Sequence, residues 1–280
     1  MSDISLFGGT GFIGSALQRR HSEMFSDIVP RNSTAPLSSN SLYLISTTDN
    51  YNVLTDNVID VETNLVHLMK TLDECRKGPP GWECFNFVSS WFVYGDQPYG
   101  PIREDAKKNP KGFYSITKSC AEDLLISYCK TFDLPYRIFR LGNVYGSGDL
   151  SASKKKNALS YLLKELKENR SVELYHDGEF YRDYIYVDDA ADALAFLCKN
   201  APLNDIFNVC SGESIRFRTL IDKAAILLNS CSDLKSVEPS KFHQQVQVRN
   251  VRLSNDKLTS LGFQPKISID EGLTRLCQTL

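Results

Sequence analysis

Short apolar runs alternate with amphipathic stretches through the first half of the chain. Five runs predict buried β-strands: Ile4–Phe7, Asp27–Val29, Leu42–Ile45, Phe85–Ser89 and Arg137–Arg140. Three stretches with apolar residues at helical spacing predict α-helices: Ile13–Arg20, Val58–Arg76 and Ser115–Thr131. Strands that alternate with helices favour a parallel sheet with helices on both faces and right-handed crossovers. We therefore predict an α/β fold built on a Rossmann-type, doubly wound parallel sheet of about seven strands.

The alternation becomes less regular after about Gly146. Helical periodicity returns in three stretches: Asn157–Asn169, Asp188–Cys198 and Leu220–Leu228. We expect residues 1–146 to form mainly the sheet domain. Residues 147–280 should form mainly a smaller C-terminal lobe, with some segments returning to the sheet domain. The charged run Lys154–Lys156 is typical of a solvated surface.

Composition narrows the class of protein. The chain has 280 residues, 42% of them hydrophobic, which is enough for one large core or two closely joined ones. A formal net charge of -2 argues against a nucleic-acid-binding protein. An apolar strand follows the first three residues and no apolar run nears ~20 residues, so we expect neither a signal peptide nor a membrane span. None of the 8 cysteines lies in a CxxC pair, which predicts reduced cytoplasmic thiols and no metal site.

A glycine-rich turn, GGTGFIG, joins the first predicted strand to the first predicted helix. Such a turn brings bare backbone and unpaired N–H groups to the diphosphate of a dinucleotide, and its last glycine lets the helix pack closely on the strand. The predicted cofactor contacts in this turn are Gly8, Gly11, Phe12, Ile13 and Gly14. A tight turn without a ligand would also explain a glycine cluster, so the position between strand and helix carries the prediction.

A tyrosine and a lysine lie four residues apart in YSITK, which places Tyr114 and Lys118 on one face of a helix. A phenol has a pKa near ~10, and a neighbouring ammonium favours the phenolate, which makes the tyrosine a usable general base. Ser90 follows the fourth predicted strand, where the carboxyl ends of parallel strands face a ligand crevice. A surface pair and a strand-end hydrogen bond are the alternatives for these residues.

Five segments in order resemble one family: GGTGFIG, SSWFVYG, PKGFYSITKSCAE, RIFRLGNVYG and YRDYIYVDDAADA. Together they are similar to the extended short-chain dehydrogenase/reductase family of nucleotide-sugar epimerases, dehydratases and reductases. The resemblance covers nearly the whole chain, although residues 32–41 and 235–252 fit it poorly. It implies a cofactor, NAD or NADP, bound by the first domain, a nucleotide-sugar substrate bound by the C-terminal lobe, and a cytoplasmic homodimer. No nucleic acid or membrane partner is implied.

The resemblance also implies roles for individual residues. Tyr114 would be the acid/base, and Lys118 would lower its pKa and bind the nicotinamide ribose. Ser90 would complete the catalytic triad and, with Trp91, contact the substrate. Asn143 resembles an asparagine that lines the substrate site. Arg182 resembles the arginine that binds the substrate diphosphate, a role that suits a guanidinium group; an ion pair with Asp183 or Asp188 is the alternative.

The chain departs from the family pattern in the cofactor region. No acidic residue closes the second predicted strand, and Arg31 stands there instead. Arg31 could meet the 2′-phosphate of NADP, or it could be a solvated loop residue. Ser46 and Thr47 replace the family's alanine pair after the third strand, so Ser46 is a further predicted cofactor contact. A late diphosphate-binding arginine has no clear counterpart; Arg249 and Arg252 are the candidates.

The residues after Ser90 narrow the reaction. Sugar 4,6-dehydratases of the family carry an Asp-Glu pair where this chain has Trp91 and Phe92, whose rings cannot transfer protons. The resemblance then implies a nucleotide-sugar epimerase, acting at C4 by transient hydride transfer to the nicotinamide. An NADPH-dependent 4-keto-sugar reductase is the first alternative. A non-catalytic dinucleotide-binding sensor is a remote one, because it has no use for an intact triad.

Overall fold

The computed structural model describes residues 4–78, 81–98, 100–149 and 158–280. The strands in these ranges are β1 (Ile4–Phe7), β2 (Ile28–Val29), β3 (Asn40–Tyr43), β4 (Cys84–Ser90), β5 (Tyr136–Leu141), β6 (Asn143–Tyr145), β7 (Val172–Tyr175), β8 (Tyr181–Tyr186), β9 (Asp205–Val209), β10 (Ser214–Arg216) and β11 (Leu234–Val237). The helices are α1 (Phe12–Arg20), α2 (Ile59–Val61), α3 (His67–Lys77), α4 (Phe113–Thr131), α5 (Ala158–Lys167), α6 (Val187–Asn200), α7 (Phe217–Leu227), α8 (Lys241–Val246), α9 (Asp256–Ser260) and α10 (Ile269–Gln278).

A parallel sheet lies at the centre of the molecule, in the spatial order β2-β1-β3-β4-β5-β9. Every neighbouring pair in it is parallel, so the predicted Rossmann-type α/β fold is confirmed. The sheet has 6 strands within the described ranges rather than the seven or so that we predicted. The physical reason is that β6 and β8 leave the main sheet and pair with each other in a smaller sheet that also includes β10.

The connection from β2 to β3 contains no helix. Its backbone instead binds to the first strand, where the amide groups of Leu37 and Ser38 each donate to Ser5 Oγ at 2.8 Å. Two prolines, Pro30 and Pro36, lie in the connection and lack the N–H group that a ladder needs. The short strand β2 is the edge strand of the main sheet.

Helix α4 carries the predicted acid/base tyrosine and begins with a side-chain cap. Ser115 Oγ accepts hydrogen bonds from the backbone N–H groups of Gly112 at 2.9 Å and Lys111 at 3.1 Å. This cap fixes the first turn of the helix, which holds Tyr114. Tyr114 and Lys118 lie on the buried face of α4, whereas Phe113 and Ile116 are exposed.

The C-terminal lobe contains two small sheets. One has the order β10-β8-β6 and the other pairs β11 with β7. Strand β9 and helix α6 belong to the large sheet domain: β9 pairs with β5, and Asp192 on α6 binds Arg20 on α1 at 2.6 Å. The three later helices predicted from the sequence correspond to α5, α6 and α7, although Asn157 lies outside the described residues.

Candidate active site

The glycine-rich turn has the geometry of an anion cradle. Gly8 has a φ of 83°, a conformation that favours glycine. A Cβ on Gly14 would lie 2.4 Å from Gly8 O, so only glycine lets α1 pack this closely on the turn. Ser15 N donates to Gly11 O at 2.8 Å. The backbone N–H groups of Phe12 and Ile13 come before this hydrogen bond in the chain, so they have no partner within the helix and point out of its N-terminus. The turn therefore fits the diphosphate of a dinucleotide.

Arg31 lies in the exposed turn that follows β2. Strand β2 pairs with β1, and the glycine-rich turn begins directly after β1, so Arg31 stands on the same edge of the sheet as the cradle. This is the edge where a dinucleotide bound at the turn extends its adenosine half. The predicted contact of Arg31 with a 2′-phosphate stays a prediction.

Ser46 is fixed by an asparagine that the sequence analysis missed. Asn64 Oδ1 accepts hydrogen bonds from Ser46 Oγ at 2.9 Å and from Thr47 N at 3.0 Å, and Asn64 Nδ2 donates to Thr117 Oγ1 at 2.9 Å. Asn64 lies in a π-helical turn, Glu62–Val66, between α2 and α3. The loop after β3 is thereby tied to helix α4, which carries Tyr114. Such turns are frequent at functional sites, but helical periodicity does not reveal them.

Tyr114 is buried, with 8% of its surface exposed. Burial raises the pKa of Tyr114, while hydrogen bonds with the Ser90 and Ser46 side chains act in the opposite direction. The structure therefore brings the predicted acid/base, the predicted third member of the triad and a predicted cofactor contact to one point. Lys118 is not among the groups that set the pKa of Tyr114 here, so its expected lowering of that pKa stays a prediction.

Lys118 is buried one helical turn from Tyr114, with 2% of its surface exposed. Its Nζ donates to Val88 O at 2.7 Å and lies 4.2 Å from the centre of the Phe87 ring. Burial lowers the pKa of Lys118 to about 7, and the negative charge of Glu122 opposes this shift. The lysine is therefore poised to change charge near neutral pH.

A buried ion pair lies behind Lys118 and was not found from the sequence. Glu122 accepts from Arg140 Nε at 3.0 Å and from Arg140 Nη2 at 2.7 Å, and its Oε1 also accepts from Ser89 Oγ at 2.6 Å. Glu122 is one turn beyond Lys118 on α4, and Arg140 lies on β5. The pair fixes the helix against the two central strands, so that the catalytic face of α4 has one position.

Aromatic side chains form one wall beside Ser90. Trp91 and Phe92 stack with ring centres 3.9 Å apart, and the Phe92 ring meets that of Tyr114 edge-on at 5.9 Å. Trp91 is buried, and its Nε1 donates to Asn143 Oδ1 at 3.2 Å. Asn143 Nδ2 donates in turn to Asp183 O at 2.8 Å. Asn143 therefore holds the wall in place as well as lining the cavity.

A cavity of about 620 Å³ opens in front of Tyr114 and Ser90. Its wall includes residues from both lobes, among them Asn143, Tyr175, Arg182 and His243. This volume is in the range of small-ligand sites, and its wall mixes rings with a few polar groups, which is typical of such sites. The cavity is therefore a candidate substrate site, and three of the predicted substrate contacts besides Ser90 line it: Trp91, Asn143 and Arg182.

Arg182 lines this cavity, and no carboxylate pairs with it among the described residues. Its guanidinium donates to Val248 O at 2.8 Å and to Arg249 O at 2.5 Å, and it lies 4.6 Å from the centre of the Phe180 ring. Burial lowers its pKa to about 10. A half-buried cation held by carbonyl groups is suited to an anionic ligand.

The alternative partners predicted for Arg182 are bound elsewhere. Asp183 accepts hydrogen bonds from Ser211 and Gly212, and Asp188 pairs with Arg19 at 2.6 Å. The ion-pair alternative for Arg182 therefore does not describe this structure. Of the two late arginines, Arg249 lines the cavity, whereas the Arg252 guanidinium lies 5.4 Å from the centre of the Tyr181 ring and not in the cavity wall.

A contact between the two lobes closes one side of the cavity and was missed in the sequence. The Tyr51 hydroxyl hydrogen-bonds His243 Nδ1, and the Tyr175 ring lies 4.4 Å from the His243 ring. Burial, with the nearby charge of Arg182, lowers the pKa of His243 to about 4. His243 is therefore neutral at physiological pH. The contact joins the loop after β3 to helix α8.

The remaining predictions concern a metal site, a membrane span, the cysteines and the lysine run. No group of three or more potential metal ligands clusters in the described ranges. None of the helices described here combines the length and the apolar composition that a bilayer crossing requires. All 8 cysteines are free thiols. The run Lys154–Lys156 lies outside the described residues.

The NAD dependent epimerase/dehydratase family model matches residues 45–210. The chain belongs to this family. The matched segment contains Ser90, Tyr114, Lys118, Asn143 and Arg182, whereas the glycine-rich turn precedes it.

Individual proteins are similar over most of the chain. A putative UDP-glucose 4-epimerase of Methanocaldococcus jannaschii is 26% identical over 78% of this chain and 69% of its own length. A dTDP-4-dehydro-6-deoxyglucose reductase of Escherichia coli is 26% identical over 71% of this chain, but only 62% of its own length is matched. The structure of RMD from Pseudomonas aeruginosa complexed with NADPH superposes with a TM-score of 0.85 at 21% identity, covering 100% of this chain and 98% of that one.

Proposed function

We propose that this protein is a nucleotide-sugar epimerase that acts at C4 through a bound nicotinamide cofactor. The observation that carries the proposal is that Ser90 and Tyr114 line a cavity that Arg182 also lines, with Lys118 buried one helical turn from Tyr114. The first three groups suit proton transfer at a sugar hydroxyl, and the arginine suits a diphosphate. Membership of the family and the similarity to a putative UDP-glucose 4-epimerase support it.

The glycine-rich turn would hold the cofactor diphosphate, because it offers free N–H groups and no side chain at the point of close approach. NAD or NADP supplies reversible hydride transfer when bound there. Lys118, with its pKa of about 7, would donate a hydrogen bond to the cofactor ribose. Ser46 would line the same side, since its hydroxyl is already fixed beside Tyr114.

Tyr114 would remove the proton from the substrate hydroxyl and return it in the second half of the reaction. Ser90 would hold the same oxygen, because it lines the cavity together with Tyr114. The raised pKa of Tyr114 keeps the proton on the phenol until the return step, when it is given back to the sugar oxygen. A positive charge on Lys118 would lower that pKa for the first step.

Arg182 would bind the substrate diphosphate. Its three hydrogen-bonding carbonyls, those of Tyr181, Val248 and Arg249, hold the guanidinium at the cavity without neutralising it. Asn143 and Trp91 would complete the sugar-facing wall. An epimerase needs the keto sugar to turn between two half-reactions, and a diphosphate held at one end leaves the ring free to rotate about its anchor.

A 4-keto-sugar reductase is the second candidate, and Arg31 is the observation that favours it. Arg31 is exposed beside the cofactor turn, where an acidic residue would select NAD. Similarity to the reductase of E. coli and to a structure with NADPH supports this candidate as well. The Trp91–Phe92 stack narrows the space beside Ser90, which restricts the turning that an epimerase needs.

We further propose a cytoplasmic homodimer. Apolar side chains on the exposed faces of the α2–α3 segment and of α4 support the dimer, because these faces would otherwise meet water. The exposed residues are Val58, Val61, Val66, Phe113, Ile116 and Leu124. Free thiols throughout support a reducing compartment. Light scattering that shows a monomer at micromolar concentration would contradict the dimer.

The direct test of the proposed site is the identity of the molecules that it retains. Mass spectrometry of purified protein, denatured to release its ligands, should show a nicotinamide dinucleotide together with a sugar nucleotide. Titration with NAD⁺ and NADP⁺ then measures which cofactor binds more tightly. A protein that retains neither molecule and binds neither cofactor at millimolar concentration is not an enzyme of this kind.

A further inference from the structure

Phe92 is an apolar residue of the cavity wall to which the proposed epimerase mechanism gives no role. It lines the cavity together with Ser90 and Tyr114, and it is only partly buried. Its backbone N donates to Ser90 Oγ at 3.3 Å, and its ring meets the Tyr114 ring edge-on with centres 5.9 Å apart. Phe92 therefore flanks both of the residues proposed to hold the reacting hydroxyl.

The ring of Phe92 is held from behind by a series of contacts. It stacks on the Trp91 ring at 3.9 Å, and Trp91 has only 2% of its surface exposed. The single N–H group of the indole donates to Asn143 Oδ1 at 3.2 Å, and Asn143 Nδ2 donates to Asp183 O at 2.8 Å. The indole donor is thus used within the wall. The Phe92 ring itself offers a ligand neither a donor nor an acceptor.

An apolar surface at this place discriminates between sugars. A sugar whose C4 hydroxyl meets Tyr114 and Ser90 presents the substituents of C3 and C5 to the residues that flank these two. In hexoses C3 carries a hydroxyl, whereas C5 carries a hydroxymethyl group or, in a 6-deoxyhexose, a methyl group. A hydroxyl pressed against a phenyl ring loses its hydrogen bonds to water and gains none, whereas a methyl group gains from burial. Of these substituents, only the methyl matches the ring.

We propose that Phe92 is a specificity-determining residue that packs against the C5 methyl group of a 6-deoxyhexose, so that the preferred substrate is a nucleotide-linked 6-deoxy sugar. The inference rests on the proposed function for the class of ligand and for the carbon that reacts. A hydrophobic surface rejects a ligand that merely adds a hydroxyl by at most about 100-fold, so the preference is one of degree.

The experiment compares a 6-deoxy sugar nucleotide with its 6-hydroxy counterpart. Calorimetry measures Kd for dTDP-6-deoxyglucose and for dTDP-glucose, which differ by one oxygen; the UDP pair is used if UDP binds more tightly than dTDP. NADH or NADPH, whichever binds more tightly, is present at saturation. A reduced nicotinamide accepts no hydride, so neither sugar is converted during the titration. For the wild type we expect the Kd of the 6-deoxy compound to be about 5- to 100-fold lower.

Two variants change the polarity of the ring position, and a third serves as a control. Phe92→Gln supplies a donor and an acceptor, so the ratio of the two Kd values should fall below about threefold. Phe92→Leu keeps the surface apolar and should retain the wild-type ratio within about threefold. Phe132→Gln is the matched control, because Phe132 is an exposed ring that does not line the cavity, and it should leave both Kd values unchanged. The Tm of each variant is measured in parallel, and the wild-type comparison needs no variant.

Three results would overturn the inference. The first is a wild type that binds the two compounds equally or prefers the 6-hydroxy sugar. The second is a wild-type ratio in a folded Phe92→Gln, which would mean that another residue selects the sugar. The third is an equal loss of the ratio in Phe92→Leu and Phe92→Gln, which would mean that ring shape and not polarity matters. A wild type that prefers the 6-deoxy compound, but does not interconvert its 4-epimers with NAD⁺, would contradict the proposed function while supporting the role of Phe92.

Discussion

Removal of the Arg182 guanidinium should weaken substrate binding far more than cofactor binding. The side chain enters the cavity and already donates to backbone carbonyls, so its position does not depend on the ligand. A charge-assisted hydrogen bond contributes about 1.5–3 kcal/mol. For Arg182→Met, which keeps an apolar stem beside Phe180, this predicts a KM for the sugar nucleotide about 10- to 150-fold higher.

The same reasoning predicts how kcat and KM divide. Arg182 would bind the diphosphate in the ground state and in the transition state alike, so kcat should fall much less than KM rises. Arg182→Lys keeps the charge but not the planar fork, and should give an intermediate KM. Steady-state kinetics with all three proteins and a fluorescence titration with NAD⁺ give the comparison.

A fold control is needed because Arg182 also links β8 to the backbone of residues 248 and 249. The Tm of Arg182→Met should therefore be measured alongside the kinetics. An unchanged KM in a folded variant would refute the diphosphate role and return Arg182 to a structural one. A loss of NAD⁺ affinity as large as the loss of substrate affinity would refute it as well.

Three further predictions concern the acid/base machinery and the cofactor turn. Tyr114→Phe should keep the fold and cofactor binding but lower kcat about 10²- to 10⁴-fold; retention of most turnover would show that another group moves the proton. In the folded chain the pKa of Lys118 is lowered to about 7, so the unfolded chain binds the lysine proton more tightly than the folded chain does. The free energy of unfolding should therefore rise with pH above 7. Urea unfolding measured at several pH values should show a flatter rise for Lys118→Met. Gly14→Ala would place a Cβ 2.4 Å from Gly8 O, so NAD(P) affinity and Tm should both fall; an unchanged Kd for the cofactor would mean that the turn does not bind it.

The sequence was sufficient for the parts of the site that short motifs encode. The glycine-rich turn, the Tyr114–Lys118 spacing and the strand-end Ser90 each follow from local geometry, and the structure brings the last three residues together. Arg182 was instead found from the resemblance of the segment YRDYIYVDDAADA to the family. These elements depend on residues close to one another in the chain.

Long-range polar pairing could not be predicted in this way. Glu122 pairs with Arg140, 18 residues away, and Tyr51 pairs with His243, 192 residues away. Nothing in the local pattern indicates which buried polar groups will meet. Asn64 was missed for a related reason, since an asparagine on a helix is ordinarily solvated.

The number of strands was predicted only approximately, as about seven against 6 in the described ranges, because periodicity does not assign a strand to a particular sheet. Strands β6 and β8 pair with each other in a smaller sheet outside the main one. The π-helical turn at Glu62–Val66 interrupts what the sequence predicts as one continuous helix. Both features are decided by packing between distant segments.

The most direct test of the central claim is to follow 4-epimer interconversion without added reductant. Purified protein with a catalytic amount of NAD⁺ is incubated separately with UDP-glucose, UDP-galactose and dTDP-glucose, and the sugar protons are followed by NMR together with absorbance at the nicotinamide band. An epimerase converts one 4-epimer to the other until equilibrium, with no net change in the nicotinamide. If instead none of these substrates is interconverted, and NADPH is consumed only when a 4-keto sugar nucleotide is supplied, the protein is a reductase and the epimerase proposal is wrong.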